Sequence, residues 1–240
     1  MSVWLDEEQS RFFLTVTRNS IPMTFQMTDL MLRVADAYAP NPLSILDLGC
    51  GAGALGGQAL ERWPGSSCVF LDFSDMMLAE CRNALAQYGK RAHFLLQNIT
   101  HPQWAQACQP FAPFDLVVSG FAIHHTPDTV KQRVYEEIFQ MLRPGGVFLN
   151  MEHVACRSIK LEDIFRQIFR ENVYASMQNE GSTLDRASID KILEARAHKD
   201  ENFLTPVEDQ CAWLRQTGFV EVDCFFKITE LALFGGVKPL

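Results

Sequence analysis

The sequence predicts an α/β fold built on a mostly parallel sheet. Short apolar runs alternate with helical patterns along most of the chain. The first of these runs ends at Asp47 and leads through a glycine-rich loop into a helix-compatible stretch that begins at Ala54. A strand, a tight turn and a helix in that order indicate a sheet with helices on both faces. Loops at the carboxyl ends of such strands are where open α/β sheets bind ligands.

Apolar residues recur at helical spacing before and between the predicted strands. They predict helices at 6–18, 26–38, 54–63, 75–88, 128–142 and 207–217, with Ser74 as a cap for the fourth. The predicted strands are the runs at 44–47, 69–72, 93–96, 114–119 and 147–150. Two β-rich runs, 219–226 and 228–237, are expected to form an antiparallel hairpin joined through Lys227.

The chain lacks an internal repeat or a linker-like tract, so residues 1–240 are expected to form a single domain. Residues 157–200 form a long, mostly helical insertion after the fifth strand. With the N-terminal helices of residues 1–40, this insertion is expected to cap the substrate site, because function concentrates at that edge of the sheet. A dimerisation arm is the alternative, so a homodimer remains open.

Composition excludes several functional classes. The net charge of -8, without a basic run, argues against a large nucleic-acid interface. The seven cysteines are scattered and never spaced C-x-x-C, which is typical of reduced thiols in a cytoplasmic protein. The sequence shows neither an apolar stretch of about 18 residues nor a leader-like start, so we expect no membrane span. A small-molecule substrate fits this composition best.

The loop after Asp47 carries glycines at alternate positions, Gly49, Gly51 and Gly53. Glycine permits positive φ and a close approach of ligand to backbone, and the following helix offers free N–H groups. A second strand ends in Asp72, about 20 residues further on, where an acid binds ribose hydroxyls. The pattern therefore indicates a nucleoside-containing ligand. A dinucleotide fingerprint fits the same loop, so a nicotinamide oxidoreductase remains an alternative.

Other residues favour a different nucleoside ligand. Asp47 could bind the ammonium of an amino acid, whereas it would repel a pyrophosphate. Asn98 follows the third strand and could bond an adenine edge. With the Leu-Arg-Pro-Gly-Gly turn at 142–146, these residues make the chain resemble the class I S-adenosylmethionine-dependent methyltransferases.

This resemblance implies a Rossmann-like, mostly parallel seven-stranded sheet with an antiparallel last strand. It implies S-adenosyl-L-methionine as the cofactor, with Phe73 and Met76 on the two sides of the adenine or, alternatively, in the core. The expected cofactor-binding residues are Asp47, Gly49, Cys50, Gly51, Gly53, Asp72, Phe73, Met76, Asn98, Ile99 and Ser119. Cys50 is expected to be a packing residue and not a nucleophile.

A closer resemblance is to the carboxy-S-adenosylmethionine synthase-like proteins of transfer-RNA wobble-uridine modification. It rests on the segments 18–22, 123–125 and 214–238. Two positions that help to read the extra carboxylate in that family differ here. Met23 to Phe25 replace an expected tyrosine, and Gly120 replaces an expected asparagine. An ordinary methyl donor is therefore favoured, with Arg196 as the remaining candidate partner for a carboxylate.

Methyl transfer requires alignment of the acceptor with the methyl group and, for a hydroxyl or protonated amine, a base. His124 and His125 follow the fourth strand, and Glu152 and His153 follow the fifth. His124 is the preferred catalytic residue, and bonding to backbone is the alternative for both histidines. We expect no metal site, because no element carries a spaced pair of ligands.

The sequence thus predicts an S-adenosylmethionine-dependent methyltransferase that acts on a small molecule. Two alternatives remain at this point. One is a cofactor-remodelling enzyme like the carboxy-S-adenosylmethionine synthases. The other is a protein that binds the cofactor without turnover.

Overall fold

The computed structural model describes residues 21, 23–179, 181–194 and 202–240. Within them the chain forms one seven-stranded sheet. Its strands are β1 Ser44–Leu48, β2 Ser67–Asp72, β3 Ala92–Leu96, β4 Phe114–Gly120, β5 Leu142–His153, β6 Val220–Ile228 and β7 Leu231–Val237.

Helices alternate with these strands. They are α1 Thr24–Tyr38, α2 Ala54–Arg62, α3 Asp75–Ala84, α4 Gln103–Cys108, α5 Asp128–Met141, α6 Ile159–Asn179, α7 Arg186–Glu194 and α8 Val207–Thr217. The helix predicted at 6–18 lies outside the described residues. The helix predicted at 75–88 is shorter than expected, since α3 ends at Ala84 and a 3-10 turn follows at Ala86–Arg91. The Ser74 side chain caps α3 as predicted by accepting the Met77 N–H at 3.4 Å.

The strand order is β3-β2-β1-β4-β5-β7-β6. The first five strands of this order are parallel, and β7 runs antiparallel between β5 and β6. The mostly parallel sheet with a reversed last strand is therefore confirmed. Lys227 was wrongly placed at the hairpin turn, since it lies within β6. The chain turns instead at Thr229, whose φ of 48° is a left-handed turn conformation.

Two apolar layers cover the sheet. On one face, α1, α2 and α3 bury side chains such as Met31, Leu60 and Leu78 against the strands. On the other face, α5 and α8 do the same through residues such as Ile138 and Leu214. None of the helices in the described part of the chain has the length and apolar character of a bilayer span. All seven cysteines are free thiols.

The insertion after β5 forms a helical hairpin of α6 and α7. Val173, Ile189 and Leu193 build a small apolar cluster between the two helices. Phe165 of α6 packs instead with the main core and lies 5.3 Å from the His153 ring, between ring centres. The second helix was predicted at 184–197, and its described part ends at Glu194, since residues 195–201 lie outside the described residues.

Candidate functional site

A cavity of about 440 Å³ opens at the carboxyl ends of β1, β2 and β4. This is the point where the strand order reverses, and its size is that of a small-molecule site. Eight of the residues predicted to bind the nucleoside ligand line it: Asp47, Gly49, Cys50, Gly51, Asp72, Phe73, Asn98 and Ile99.

Asp72 and Gly51 are hydrogen-bonded neighbours in the lining of this cavity. The Gly51 N–H donates to Asp72 Oδ2 at 2.8 Å, and the Ser74 N–H donates to Asp72 Oδ1 at 2.9 Å. Gly51 has a φ of 53°, and a Cβ added to it would meet no atom within 4 Å. The loop therefore presents bare backbone to open space, while the carboxylate holds it in place.

Burial raises the pKa of Asp72, and N–H groups of Ser74, Gly51 and Phe73 oppose that rise. A carboxylate can accept about four hydrogen bonds. The N–H groups of Gly51, Ser74 and Phe73 use part of this capacity. The remaining capacity on the cavity side of Asp72 is available to ligand hydroxyls, as the ribose assignment requires.

Asp47 lies deeper, below the glycine loop, and only 1% of it is exposed. Its Oδ2 accepts the N–H of Gly56 at 2.8 Å, which joins β1 to the first turn of α2. Because Asp47 also lines the cavity, the site has a second carboxylate besides that of Asp72.

Asn98 reaches the cavity from the loop after β3. Its Oδ1 accepts two hydrogen bonds from Thr100, from the backbone N–H at 2.9 Å and from the hydroxyl at 2.8 Å. These bonds fix the side chain and leave its amide NH₂ group as the donor available to a ligand edge.

Three residues predicted to bind the ligand do not line the cavity. Gly53 packs against α3, and a Cβ there would lie 2.4 Å from Cys81 Sγ. Met76 does not line the cavity, whereas the next residue along α3, Met77, does. Ser119 is fully buried and donates its hydroxyl to the Leu48 carbonyl at 2.8 Å, so it joins β4 to β1.

Cys50 does line the cavity, but its thiol is buried. Burial is the main reason that the pKa of Cys50 is raised well above its usual value. A thiol that stays protonated is a poor nucleophile, which agrees with the packing role expected for it.

The preferred catalytic residue, His124, lies behind the cavity wall, and its neighbour His125 lines the cavity. His124 Nδ1 lies 2.6 Å from Glu152 Oε2, and the two histidine rings are 3.9 Å apart between centres. Glu152 Oε1 also accepts the backbone N–H groups of Ile123 at 2.8 Å and His124 at 3.2 Å. Glu152 therefore fixes the whole 3-10 turn that carries both histidines.

Burial raises the pKa of Glu152 to about 7, against the lowering effects of His125, Lys131 and two backbone N–H groups. The Nδ1 of His124 faces this carboxyl, so the two groups are close enough to share a proton.

The substitution Glu152→Gln is expected to change the pH dependence of stability. The native pKa of about 7 exceeds the ordinary 4.5, so the folded state binds more protons than the unfolded state between these values. Stability therefore falls as the pH rises through this window, by about 2–3 kcal/mol for this carboxyl. Urea unfolding at pH 5 and pH 8 should show this loss in the parent chain and not in the variant. Exposed Glu136→Gln is the matched control, and equal losses in all three proteins would contradict the assignment.

Sequence reasoning missed much of the other end of the cavity. Thr24 and Thr28 of α1 line it, together with Phe121, Thr126, Met151 and Phe203. A signal existed for the first two, because threonines four residues apart interrupt an otherwise apolar helix face. The sequence contains no such signal for Phe121, because the fold imposes its φ of 55°. Phe203 follows the insertion, far along the chain from the glycine loop.

Charge distinguishes this cavity from a phosphate site. Its described lining residues include two carboxylates, Asp47 and Asp72, and neither lysine nor arginine. A pyrophosphate would lack a cationic partner here, whereas an ammonium or sulfonium would be attracted. Among the residues that the structure describes, no group of three His, Cys, Asp or Glu side chains could hold a metal ion.

This strand order and this anionic, glycine-walled cavity are typical of the class I S-adenosylmethionine-dependent methyltransferases. A family model described as a methyltransferase domain matches residues 45–146. The carboxy-S-adenosyl-L-methionine synthase of Campylobacter lari is 24% identical over 236 residues, which cover 97% of this chain and 93% of that enzyme. Residues 45–146 thus match a methyltransferase domain, and S-adenosyl-L-methionine is the cofactor of the class I methyltransferases.

Two further similarities concern parts of the chain or the fold alone. The malonyl-[acyl-carrier protein] O-methyltransferase of Magnetococcus marinus is 31% identical over 110 residues, or 46% of this chain, which spans only 38% of that enzyme. Magnesium protoporphyrin IX methyltransferase from Synechocystis, solved with bound S-adenosylmethionine, superposes with a TM-score of 0.63 at 13% identity. The superposition covers 98% of this chain and 93% of that one.

Proposed function

We propose that this protein methylates a hydroxyl group of a small-molecule acceptor, with S-adenosylmethionine as the methyl donor. The observation that carries the proposal is one cavity with carboxylates at its glycine-loop end and an imidazole at the other. Asp47 and Asp72 provide the first, and His125 provides the second. The first end suits a cationic nucleoside, and the second suits a group that must lose a proton.

Named residues account for each part of the cofactor. Asp47 would bind its ammonium, and Asp72 would accept both ribose hydroxyls. Phe73 and Met77 would flank the adenine, with Asn98 at its edge. The bound cofactor supplies a methyl carbon that the positively charged sulfur has already activated. The protein then has to orient the acceptor, exclude water and take up a proton.

We assign the role of proton acceptor to the paired histidines of the 3-10 turn Ile123–His125. His125 lines the cavity, while the His124 ring lies 3.9 Å from it between centres, tilted by 44°, and its Nδ1 contacts Glu152. Uptake of the hydroxyl proton by the imidazole pair would be stabilised by the Glu152 carboxylate. A polar, base-containing acceptor end also argues against a protein that only binds the cofactor.

Calorimetry and product analysis test this proposal directly. S-adenosylmethionine and S-adenosylhomocysteine should bind, and NAD should not. Incubation with S-adenosylmethionine and a set of hydroxylated compounds should release S-adenosylhomocysteine and a methyl ether in equal amounts. Tight binding of NAD, or cofactor binding without methylation of any hydroxylated compound, would count against it.

A second candidate is remodelling of the cofactor, as in the carboxy-S-adenosyl-L-methionine synthases that match this chain over most of its length. A donor with an extra carboxylate needs a cationic partner, and the described lining residues include neither lysine nor arginine. Arg196, the candidate partner from the sequence, lies outside the described residues. Gly120, where the resembling family has asparagine, lines the cavity without a polar side chain. Carboxy-S-adenosylmethionine should therefore bind more weakly than S-adenosylmethionine. Tighter binding by tenfold or more would favour this second candidate.

The helical hairpin of α6 and α7 is proposed to close over the acceptor as a cap. In this structure none of its described residues lines the cavity, and α1 and Phe203 form the cover instead. Phe165 contacts the ring of His153, so it links the hairpin to the region of the histidine pair. The hairpin otherwise packs mainly on its own apolar cluster, so it can shift without disturbing the sheet.

Hydrogen exchange distinguishes this cap from a dimerisation arm. Residues 1–25 and 157–200 should exchange more slowly with S-adenosylhomocysteine bound, whereas β1 and β4 should change little. A dimerisation arm, to which exposed Ile159 and Ile164 could contribute, would show protection that grows with protein concentration. Measurements at two concentrations, with and without the ligand, separate these results. Protection indifferent to ligand would rule out the cap.

A further inference from the structure

Phe203 occupies an unusual position in the cavity wall. It lies in the segment Asn202–Pro206, between the helical hairpin and α8, and 44% of it is exposed. It lines the cavity, as do His125 and Thr126. Its backbone N–H donates to the carbonyl of His124 at 2.8 Å. The backbone of Phe203 is therefore fixed beside the turn that carries the histidine pair.

A buried lysine anchors this segment. Only 1% of Lys131 is exposed, and its ammonium donates to Asp128 Oδ1 at 2.8 Å and to Thr205 Oγ1 at 2.7 Å. The third bond goes to the carbonyl of Phe203 itself. An ammonium taken out of water is costly in free energy unless its protons are all bonded. Two of these bonds hold residues 203–205 against α5, and the third stays within α5, so the anchor determines where the Phe203 backbone lies.

Apolar side chains form part of the cavity lining at the acceptor end. Phe121 and Met151 line the same end of the cavity, and His125 and Thr126 supply its polar groups. Lysine and arginine do not occur among the described lining residues, and the carboxylates of Asp47 and Asp72 would repel an anion. An exposed aromatic ring held rigidly at such a wall is suited to stack a flat, uncharged ligand.

We propose that Phe203 is the residue that selects the acceptor, by stacking an uncharged aromatic alcohol whose hydroxyl points to the histidine pair. Lys131 and Thr205 act as positioning residues, since they hold the Phe203 backbone and do not touch the acceptor. This inference rests on the proposed methyl transfer and specifies the chemical class of its acceptor. Carboxylate-bearing acceptors should be disfavoured by the same site.

Three flat probes of graded chemistry test the proposal. 2-Naphthol is an uncharged aromatic alcohol, 2-naphthoate carries a carboxylate on the same rings, and decahydro-2-naphthol has the hydroxyl without aromatic rings. Binding is measured by calorimetry on the full chain saturated with S-adenosylhomocysteine. 2-Naphthol should bind at least tenfold more tightly than either of the other two. Equal or tighter binding of 2-naphthoate would overturn the proposal.

Variants at the ring and at its anchor then locate the effect. Phe203→Ala should weaken 2-naphthol binding at least tenfold, whereas Phe203→Tyr keeps the ring and should retain it within about threefold. Thr205→Val removes the two hydroxyl bonds to Lys131 and Asp128 at nearly constant volume and should raise the KM for 2-naphthol severalfold. All three variants should bind S-adenosylhomocysteine as the parent does. Unchanged 2-naphthol binding in Phe203→Ala would refute the role of this ring.

The design separates this inference from the proposed function. Cofactor binding with no 2-naphthol binding refutes the inference and leaves methyl transfer to other acceptors standing. Binding of 2-naphthol that depends on Phe203, with no methyl ether formed from it or any other hydroxylated compound, supports the binding role and contradicts the methylation. Loss of cofactor binding by the parent chain contradicts the function itself.

Discussion

Gly51→Val is expected to abolish binding of S-adenosylmethionine, with a loss in affinity of at least a hundredfold. Gly51 has a φ of 53°, and a Cβ at this position would project into open cavity space. A branched side chain would fill the volume that the ligand needs, and its conformation would be strained by roughly 1–3 kcal/mol. Calorimetry with S-adenosylhomocysteine measures the loss, and circular dichroism confirms that the variant is folded.

Gly89→Val is the matched control, because it separates strain from occlusion. Gly89 also has a φ of 53° and open space about its Cβ, but it lies in the exposed 3-10 turn before β3 and does not line the cavity. Both variants should lose thermal stability, and only Gly51→Val should lose the ligand. A Gly51→Val protein that folds and binds normally would show that this loop does not hold the cofactor.

Asp72→Ala should weaken S-adenosylmethionine binding at least tenfold. Charge-assisted hydrogen bonds contribute about 1.5–3 kcal/mol each, and the carboxylate can accept two from the ribose. The same carboxylate holds the Gly51 N–H at 2.8 Å, so its removal also frees the glycine loop. Both effects reduce affinity, which places this change beside Gly51→Val as the most damaging to cofactor binding.

Two further substitutions define the Asp72 result. Asp75→Ala removes an exposed carboxylate three residues away, in the first turn of α3, and should leave affinity within about twofold. Asp72→Asn retains one acceptor oxygen, so its loss should fall between those of the other two variants. If Asp72→Ala binds the cofactor as the parent chain does, the ribose assignment is wrong.

The cofactor end of the site was largely predictable, because strand ends can be located from sequence. Asp47 and Asp72 each close an apolar run, and parallel strands bring such ends to one edge. The prediction for Met76 was shifted by one residue along α3. A shift of one residue on a helix turns a side chain by about 100°, which is why Met77 and not Met76 faces the cavity. Ser119 lies within β4, where its hydroxyl donates to the Leu48 carbonyl of β1 and does not reach the cavity.

The acceptor end was less predictable for a different physical reason. The doublet of His124 and His125 was visible, but the side chain that reaches the cavity depends on a 3-10 turn fixed by Glu152, 28 residues away from His124. The Lys131 anchor joins residues more than 70 positions apart. Contacts over such distances along the chain leave no periodic pattern, so a single sequence contains no local signal for them.

The small apolar cluster of Val173, Ile189 and Leu193 bears on how proteins of this architecture diversify. Apart from Phe165 and Phe169, helices α6 and α7 gain their buried surface chiefly from each other. Such a segment can be exchanged or remodelled during evolution with little penalty to the sheet, and the methyltransferase-domain match ends at residue 146, before the segment begins. With the cap role proposed above, such an exchange would change the acceptor range and keep the donor site. Grafting residues 157–200 between related chains tests this consequence.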